Sequence, residues 1–283
     1  MQVAEADRIA QELWELDVSV WGRYWAPVFA QFAESLVLDA NLKEGQIILD
    51  VGTGTGVAAF EAAKRITRGF VIGIDRSRRM IDTARATKTK LSNVSFIRMN
   101  GDKMVFPDRL FDKVLSNCGI SYGAYPQTLA EICRVMQRGG EFIFTNWHLI
   151  DVPAHRTFSE ILRRHRTEHP SRKLQKWREA LSTLERIGNG YSEPRRQESE
   201  LRKVGFGGIT EQTRSYKIQL RNVQTYLRMR LDRAPLRREL IELTPKRRTE
   251  LMNDLATGLR SYIHRCQFMI DWKVKFTKAT KTE

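Results

Sequence analysis

The chain has 283 residues, of which 41% are hydrophobic and 29% charged, a composition that suits one large globular domain or two small ones. No apolar run reaches the roughly 20 residues that a membrane-spanning helix needs, and the acidic, mixed N-terminus does not follow the pattern of a secretory signal. The cysteines Cys118, Cys133 and Cys266 are far apart and outside any C-x-x-C pair, which predicts buried free thiols in a cytoplasmic protein.

The formal net charge of +15 is concentrated in the second half of the sequence. Residues 1–150 contain 18 Lys and Arg against 17 Asp and Glu, whereas residues 151–283 contain 30 against 16. This asymmetry indicates either an anionic partner or the solvated faces of arginine-rich helices.

The N-terminal segment predicts helical structure up to about Leu42. Trp21, Trp25, Phe29 and Phe32 recur at the spacing of one helical face. Pro27 predicts a break or a restart within this segment, because proline lacks the N–H that a helix interior uses.

Residues 47–65 predict a strand, a glycine-rich turn and a helix. An apolar run leads into Asp50, and three glycines follow at alternate positions, Gly52, Gly54 and Gly56. Glycines let the backbone adopt positive φ and approach a ligand closely, and the helix N-terminus presents free N–H groups there. Val57 stands where a dinucleotide fingerprint has its third glycine, and no Gly-Lys-Ser/Thr follows, so the spacing fits neither that fingerprint nor a P-loop.

The pattern D-x-G-x-G-x-G from Asp50 to Gly56 resembles motif I of the class I S-adenosylmethionine (SAM)-dependent methyltransferases. Four later features follow in the order of that family. They are a second strand that ends at Asp75, a third strand that leads to Asn100-Gly101-Asp102, a fourth over residues 111–117, and a helix, Gly-Gly turn and fifth strand over residues 131–147. The resemblance is nearest to the small-molecule methyltransferases of ubiquinone and menaquinone biosynthesis, clear over residues 46–147 and weak outside.

The resemblance implies SAM as the cofactor and a doubly wound α/β fold with a seven-stranded, mostly parallel sheet. It predicts one domain over residues 1–283, in which residues 1–44 form a helical lid, residues 45–150 the SAM-binding core, and residues 151–283 a basic helical cover with strands six and seven.

Each implied cofactor contact has a position in this sequence. Asp50 would lie near the methionine amino group, the glycines would face the methionine and ribose, and Asp75 lies where a carboxylate can accept hydrogen bonds from ribose hydroxyls. The implied cofactor-binding residues are Asp50, Gly52, Thr53, Gly54, Gly56, Asp75, Arg76, Met80, Gly101, Asp102, Lys103 and Asn117, with Trp25 from the lid. For Trp25, and for Tyr24 beside it, packing in the core is the alternative to a cofactor contact.

Beyond the core, the pattern predicts a helical section over residues 155–187, a turn at 188–190, a helix over 196–204 and the sixth strand over 209–218. Thr244 and Pro245 predict a helix start. Leu251, Leu255, Leu259 and Ile263 form one apolar stripe, and strict alternation over residues 268–277 predicts the seventh, antiparallel strand.

Methyl transfer from a sulfonium needs mainly alignment of the nucleophile and exclusion of water, but a carbon or oxygen nucleophile can also need a base. His148 and Tyr122 are the candidates, with Tyr125 as an alternative, although structural roles are open for all three. The Asn117 to Ile120 sequence departs from the D/N-P-P-Y/F motif of many amino methyltransferases of bases and glutamine. His165-x-x-Glu168-His169 fits an inverted zinc motif, but the arginines around it oppose a dication, so we expect no metal site.

These features predict an enzyme that methylates a small organic acceptor, with an anionic acceptor left open. We expect the basic excess to line or rim the acceptor side, and we expect no specific nucleic-acid partner and no membrane span. Two alternatives remain, an RNA or protein methyltransferase and a SAM-binding interaction module without catalysis.

Overall fold

The computed structural model describes residues 1–87, 90–120, 122–146 and 152–282. The helices are α1 (Val3–Val20), α2 (Ala26–Ala40), α3 (Val57–Arg65), α4 (Arg78–Ala86), α5 (Tyr125–Val135), α6 (Pro153–His165), α7 (Arg172–Ser192), α8 (Pro194–Lys203), α9 (Val223–Leu231), α10 (Ala234–Glu242) and α11 (Pro245–Gly258). The strands are β1 (Ile47–Val51), β2 (Phe70–Asp75), β3 (Val94–Arg98), β4 (Phe111–Asn117), β5 (Met136–Thr145), β6 (Phe206–Leu220), β7 (Ile263–His264) and β8 (Gln267–Lys281).

Seven of the strands form one twisted sheet in the order β3-β2-β1-β4-β5-β8-β6, and the two-residue β7 pairs with β8. Strands β1 to β5 run parallel, whereas β8 is antiparallel to β5 and β6. The predicted doubly wound, mostly parallel sheet is therefore confirmed. The chain reverses its direction of winding between β1 and β4, and such switch points are where α/β sheets bind ligands.

The N-terminal helices are joined by a π-helical turn, Trp21–Trp25. Pro27 lies in the first turn of α2, where its missing N–H has no helical partner to lose. The predicted irregularity is therefore present, but it is the wider π-helical turn that ends at Trp25, two residues before Pro27. Such turns insert a residue and change which side chains share a face.

Three local predictions differ from the structure. Helix α7 continues through Gly188–Gly190 to Ser192, because its last turn is packed: the Tyr191 ring stacks on Tyr125 at 4.8 Å, and the Arg196 guanidinium lies 4.5 Å from the centre of the Tyr191 ring. Ile263 lies in β7, 37% exposed and beyond the end of α11, whereas Leu251, Leu255 and Leu259 are fully buried. Cys266 is exposed.

Arginines in the cover pair with buried acids. Glu239 of α10 is 2% exposed, and its carboxylate accepts hydrogen bonds from Arg178 of α7, at 2.7 Å from Nε and 2.5 Å from Nη2. Arg166 Nε lies 3.4 Å from the same carboxylate. The two arginines therefore neutralise a buried charge, and the Arg178 contact fastens α7 to α10. None of the helices in the described ranges is both long and apolar enough to cross a bilayer.

Replacing Glu239 with Gln should lower the free energy of unfolding by about 2–3 kcal/mol, because the partly buried Arg178 loses its carboxylate. Urea denaturation measures this change. Glu198→Gln is the matched control: Glu198 pairs with Arg202 on the exposed face of α8, so its loss should cost within about 0.5 kcal/mol. Equal effects of the two changes would contradict the structural role of the buried pair.

Candidate functional site

A cavity of about 570 Å³ lies at the carboxyl ends of β1, β2 and β4, roofed by α1 and the start of α2. It is lined by ten of the predicted cofactor-binding residues: Asp50, Gly52, Thr53, Gly54, Asp75, Arg76, Met80, Gly101, Asp102 and Asn117. Gly56, Lys103 and Trp25 do not line it. The sheet therefore brings together side chains that are up to 67 positions apart in the sequence, from Asp50 to Asn117.

The glycine turn approaches the neighbouring loop backbone to backbone. A Cβ on Gly52 would lie 2.3 Å from the carbonyl oxygen of Gly119, so only glycine fits there. Gly54 has φ of 55° and faces open space, where the nearest atom to a Cβ would be Trp21 Nε1 at 3.7 Å. Gly54 is thus the glycine over which a ligand can approach the backbone.

Gly56 has a packing role. A Cβ at this position would lie 2.8 Å from the rings of Phe60 and Phe96, and its φ is 89°. The glycine lets α3 start against β3 rather than contact a ligand. The motif therefore contains glycines with different functions, which their regular spacing does not reveal.

Asp75 fixes the turn to the end of β2. Its carboxylate accepts hydrogen bonds from the Gly54 N–H at 2.9 Å and from the Ser77 N–H at 2.8 Å. Burial raises the pKa of Asp75, while these two N–H groups act in the opposite direction. Each carboxylate oxygen keeps a second lone pair, so Asp75 still has the capacity to accept the predicted hydrogen bonds from ribose hydroxyls.

Asp50 lies at the floor of the cavity and is fully buried. Its Oδ2 accepts a hydrogen bond from Thr53 Oγ1 at 2.6 Å. Burial raises the pKa of Asp50 to about 7, although the Thr53 hydroxyl stabilises the carboxylate. A cationic group placed beside Asp50 would favour ionisation of this carboxyl group.

The end of β4 contributes Asn117 and Cys118. Asn117 donates from Nδ2 to the Phe29 carbonyl at 3.0 Å and accepts from Thr145 Oγ1 at 3.0 Å, so it links the lid to the sheet. Burial raises the pKa of Cys118 to about 12, which keeps this cavity-lining thiol neutral.

Trp21, rather than Trp25, lines the cavity. The two rings are parallel within 3°, with centroids 6.1 Å apart, and Trp25 lies behind Trp21 with its Nε1 donating to the Met229 carbonyl at 3.0 Å. Trp14 and Phe29 complete the aromatic wall. The sequence places Trp21 and Trp25 on one helical face and does not distinguish them, because the π turn between them is not encoded by a recognisable pattern.

The far wall is formed by α1 and α7, with Leu13, Leu181 and Leu184 as its aliphatic residues. The basic excess predicted to line or rim the acceptor side is not observed in the cavity lining, and a basic rim stays a prediction. Of the described residues beyond 150 that line the cavity, Arg233 is basic, Glu185 is acidic and the rest are leucines. The other arginines of the cover lie elsewhere, several of them in the ion pairs described above.

The candidate bases are only partly placed. His148 and the side chain of Tyr122 lie outside the described residues, and Tyr125 is buried away from the cavity lining. His165 ends α6, and its Nε2 lies 2.8 Å from Asp254 Oδ2, whereas His169 is exposed in the next loop. The two histidines therefore do not share a helical face, as the inverted zinc motif would require.

Comparisons with known proteins agree with this geometry. Residues 42–200 match the family model of the methyltransferase domain. The chain is 28% identical over 152 residues to aklanonic acid methyltransferase DauC of Streptomyces sp. (strain C5), a match that covers 52% of this chain and 68% of DauC. It is 37% identical over 113 residues to ubiquinone/menaquinone biosynthesis C-methyltransferase UbiE of Bradyrhizobium sp. (strain BTAi1 / ATCC BAA-1182), which covers 38% of this chain and 44% of UbiE.

The fold is also similar to the folds of solved methyltransferase structures. Phosphoethanolamine N-methyltransferase 2 of Haemonchus contortus, in complex with SAM, matches with a TM-score of 0.54 and 19% identity, over 96% of this chain and 57% of that one. A fold of the SAM-dependent methyltransferase class is thus established. The chain belongs to the methyltransferase-domain family, and its cofactor is SAM.

Replacing Gly54 with Val should weaken binding of S-adenosylhomocysteine (SAH) at least about tenfold, because the side chain would occupy the space over the turn. Isothermal titration calorimetry measures the affinity. Gly139→Val is the matched control, since Gly139 also has positive φ, at 76°, but has no neighbour within 4 Å of its Cβ position and lies outside the cavity. Loss of binding in both variants would indicate backbone strain rather than a blocked site.

SAH binding should tighten as the pH rises from about 6 to about 8. The raised pKa means that Asp50 is largely protonated below about pH 7 in the unliganded fold, whereas an ammonium group favours the carboxylate. The same shift stabilises the unliganded fold at low pH, and this contribution is lost as the pH rises through about 7. Asp50→Asn should flatten the pH profile of affinity; an unchanged slope in that variant would assign the titration to another group.

Proposed function

We propose that this chain transfers the methyl group of SAM to a small organic acceptor that contains an apolar ring system. The observation that carries the proposal is the continuity of one cavity. The cavity extends from the carboxylates and glycines of the cofactor turn to a wall of indole, phenyl and leucine side chains. Its volume lies in the range of small-molecule sites.

The roof of the cavity supports a small acceptor over an RNA or a protein. Asp7 of α1 pairs with Arg76, and Glu15 of α1 accepts hydrogen bonds from the Arg78 and Arg79 backbone N–H groups at 2.7 and 3.1 Å. These contacts fasten the lid across the strand ends, so that the site is a pocket under a helix rather than an open groove. DauC and UbiE, both named for small organic molecules, agree with this choice.

In this proposal the residues act by binding and orientation. SAM supplies an electrophilic methyl group, which an acceptor atom takes by in-line displacement. The Asp50–Gly54 turn and Asp75 hold the cofactor, with the predicted contacts from Arg76, Met80, Gly101, Asp102 and Asn117. Trp14, Trp21 and Phe29 present flat apolar surfaces that place the acceptor and exclude water. His148 and Tyr122 remain the candidates for proton removal, and residues 1–44, 45–150 and 151–283 remain the proposed lid, core and cover.

The acceptor class is tested by methyl transfer from SAM labelled with tritium in its methyl group. The acceptors are a set of hydroxylated naphthalenes and anthraquinones, phosphoethanolamine, and bulk tRNA. The proposal expects label only in the aromatic set. Label in tRNA would favour the RNA alternative, and SAH binding without transfer to any acceptor would favour the non-catalytic module.

With a labelled aromatic acceptor in hand, Leu181→Ala should raise KM for that acceptor about three- to tenfold and leave SAH affinity unchanged. The side chain lines the cavity while 39% exposed, so its truncation removes contact area with little effect on folding. Leu38→Ala is the matched control: Leu38 is 54% exposed on α2 and lies outside the cavity. An unchanged KM in the Leu181 variant would place the acceptor elsewhere.

A further inference from the structure

Arg233 is a cationic side chain held rigidly at the cavity wall. It lies between α9 and α10 and lines the cavity. Its Nε donates to Asp17 Oδ2 at 3.1 Å, and its Cζ lies 5.2 Å from the centre of the Trp14 ring and 5.6 Å from that of Trp25. Asp17 is 2% exposed and also accepts a hydrogen bond from the Ala234 N–H at 2.6 Å. The guanidinium is therefore fixed in place before any ligand binds.

The position of Arg233 is at the acceptor end of the cavity. Trp21 Nε1 lies 3.7 Å from the Cβ position of Gly54, directly over the cofactor turn. Trp14 packs edge-on against Trp21 with centroids 5.5 Å apart, and Arg233 lies on Trp14. Through these contacts, two indole rings, Trp21 and Trp14, separate Arg233 from the glycine turn.

Arg233 keeps donors available for a ligand. A guanidinium carries five N–H donors, of which the Asp17 contact uses the one on Nε. Within the described ranges, no residue accepts a hydrogen bond from Nη1 or Nη2 of Arg233. Two terminal nitrogens in a fork are suited to a carboxylate or another anionic oxygen group.

A second arginine, Arg230 of α9, lies three residues before Arg233 in the chain. It packs on the ring of Phe158 at 4.9 Å, and its Nε has no hydrogen-bond partner among the described residues. The pKa of His155 is lowered well below its ordinary value, mainly by burial of the ring and also by the charges of Arg230 and Arg233. His155 therefore adds no charge. Of the acids that line the cavity near α1 and α7, Asp7 pairs with Arg76 and Glu185 is exposed to solvent.

We propose that Arg233 binds an anionic oxygen group of the acceptor, so that the substrate class is an apolar ring system with a carboxylate or an ionised hydroxyl. The proposal rests on the function proposed above and specifies which end of the acceptor the cavity recognises. It also revises the expectation of a generally basic acceptor side. In place of a basic surface, the proposal has one fixed guanidinium, that of Arg233, with Arg230 as a second positive charge nearby.

The test uses 2-naphthoate and 2-naphthamide, which have the same ring and nearly the same shape but differ in charge. Calorimetry measures the dissociation constant of each for the full chain saturated with SAH. We expect 2-naphthoate to bind about tenfold more tightly, the scale of a charge-assisted hydrogen bond. Arg233→Met should abolish this preference, and Arg233→Lys should reduce it to less than about threefold because the fork is lost.

Arg237→Met is the matched control, since Arg237 is exposed on α10 and outside the cavity, and it should keep the full preference. If Arg233→Met fails to fold because Asp17 is left buried and unpaired, Arg233→Lys decides the question. Equal binding of the two probes, no binding of either, or a preference that survives in the Arg233 variants would overturn the proposal. SAH affinity is measured first, on each protein without ligand: if the unaltered chain does not bind SAH, the proposed function is refuted instead.

Discussion

The partly buried carboxylate of Asp75 holds the functional end of the sheet together. One of its oxygens accepts from the Gly54 N–H and the other from the Ser77 N–H, so the glycine turn, the end of β2 and the start of α4 have one fixed geometry. The two backbone N–H groups favour the ionised carboxylate and so offset part of the cost of burying it. Ser77 in turn caps α4 by accepting from the Met80 N–H at 3.1 Å, and Met80 lines the cavity.

The lid depends on that same helix start. Glu15 accepts hydrogen bonds from the first N–H groups of α4, a favourable position for an anion because helix N-termini carry unpaired donors and a partial positive charge. Two further acids of α1 make similar contacts. Asp7 pairs with Arg76, and Asp17 pairs with Arg233 and accepts a hydrogen bond from the first N–H of α10. Acids along one helix thus attach it to the cofactor loops on one side and to the cover on the other. Of these pairs, Asp17–Arg233 joins an acid of the first half of the chain to an arginine of the second half, so it offsets one charge of the basic excess.

How far the sequence predicts this protein follows from the range of each interaction. The strand-turn-helix of residues 47–65 and the alternation in β8 are local patterns, and both were predicted correctly. The choice of Trp21 over Trp25 at the cavity depends on a π turn, and the continuation of α7 depends on Tyr191 packing against Tyr125. Arg233 and Asp17 are 216 positions apart, so their contact has no signal in one sequence. The least predictable parts of the site are therefore those assembled by long-range packing.

The extent of the family match limits what the relatives indicate about the acceptor of this chain. The family model matches residues 42–200, which contain the cofactor turn, Asp75 and the α7 leucines. Trp14 and Trp21 precede that region and Arg233 follows it, so the aromatic and cationic parts of the acceptor wall lie outside the matched region. A cofactor site can be shared across a family while segments added around it change the acceptor, because function is set by the site rather than by the fold. The acceptor of this chain is therefore better inferred from the wall that Trp14, Trp21 and Arg233 form than from the acceptors named for its relatives.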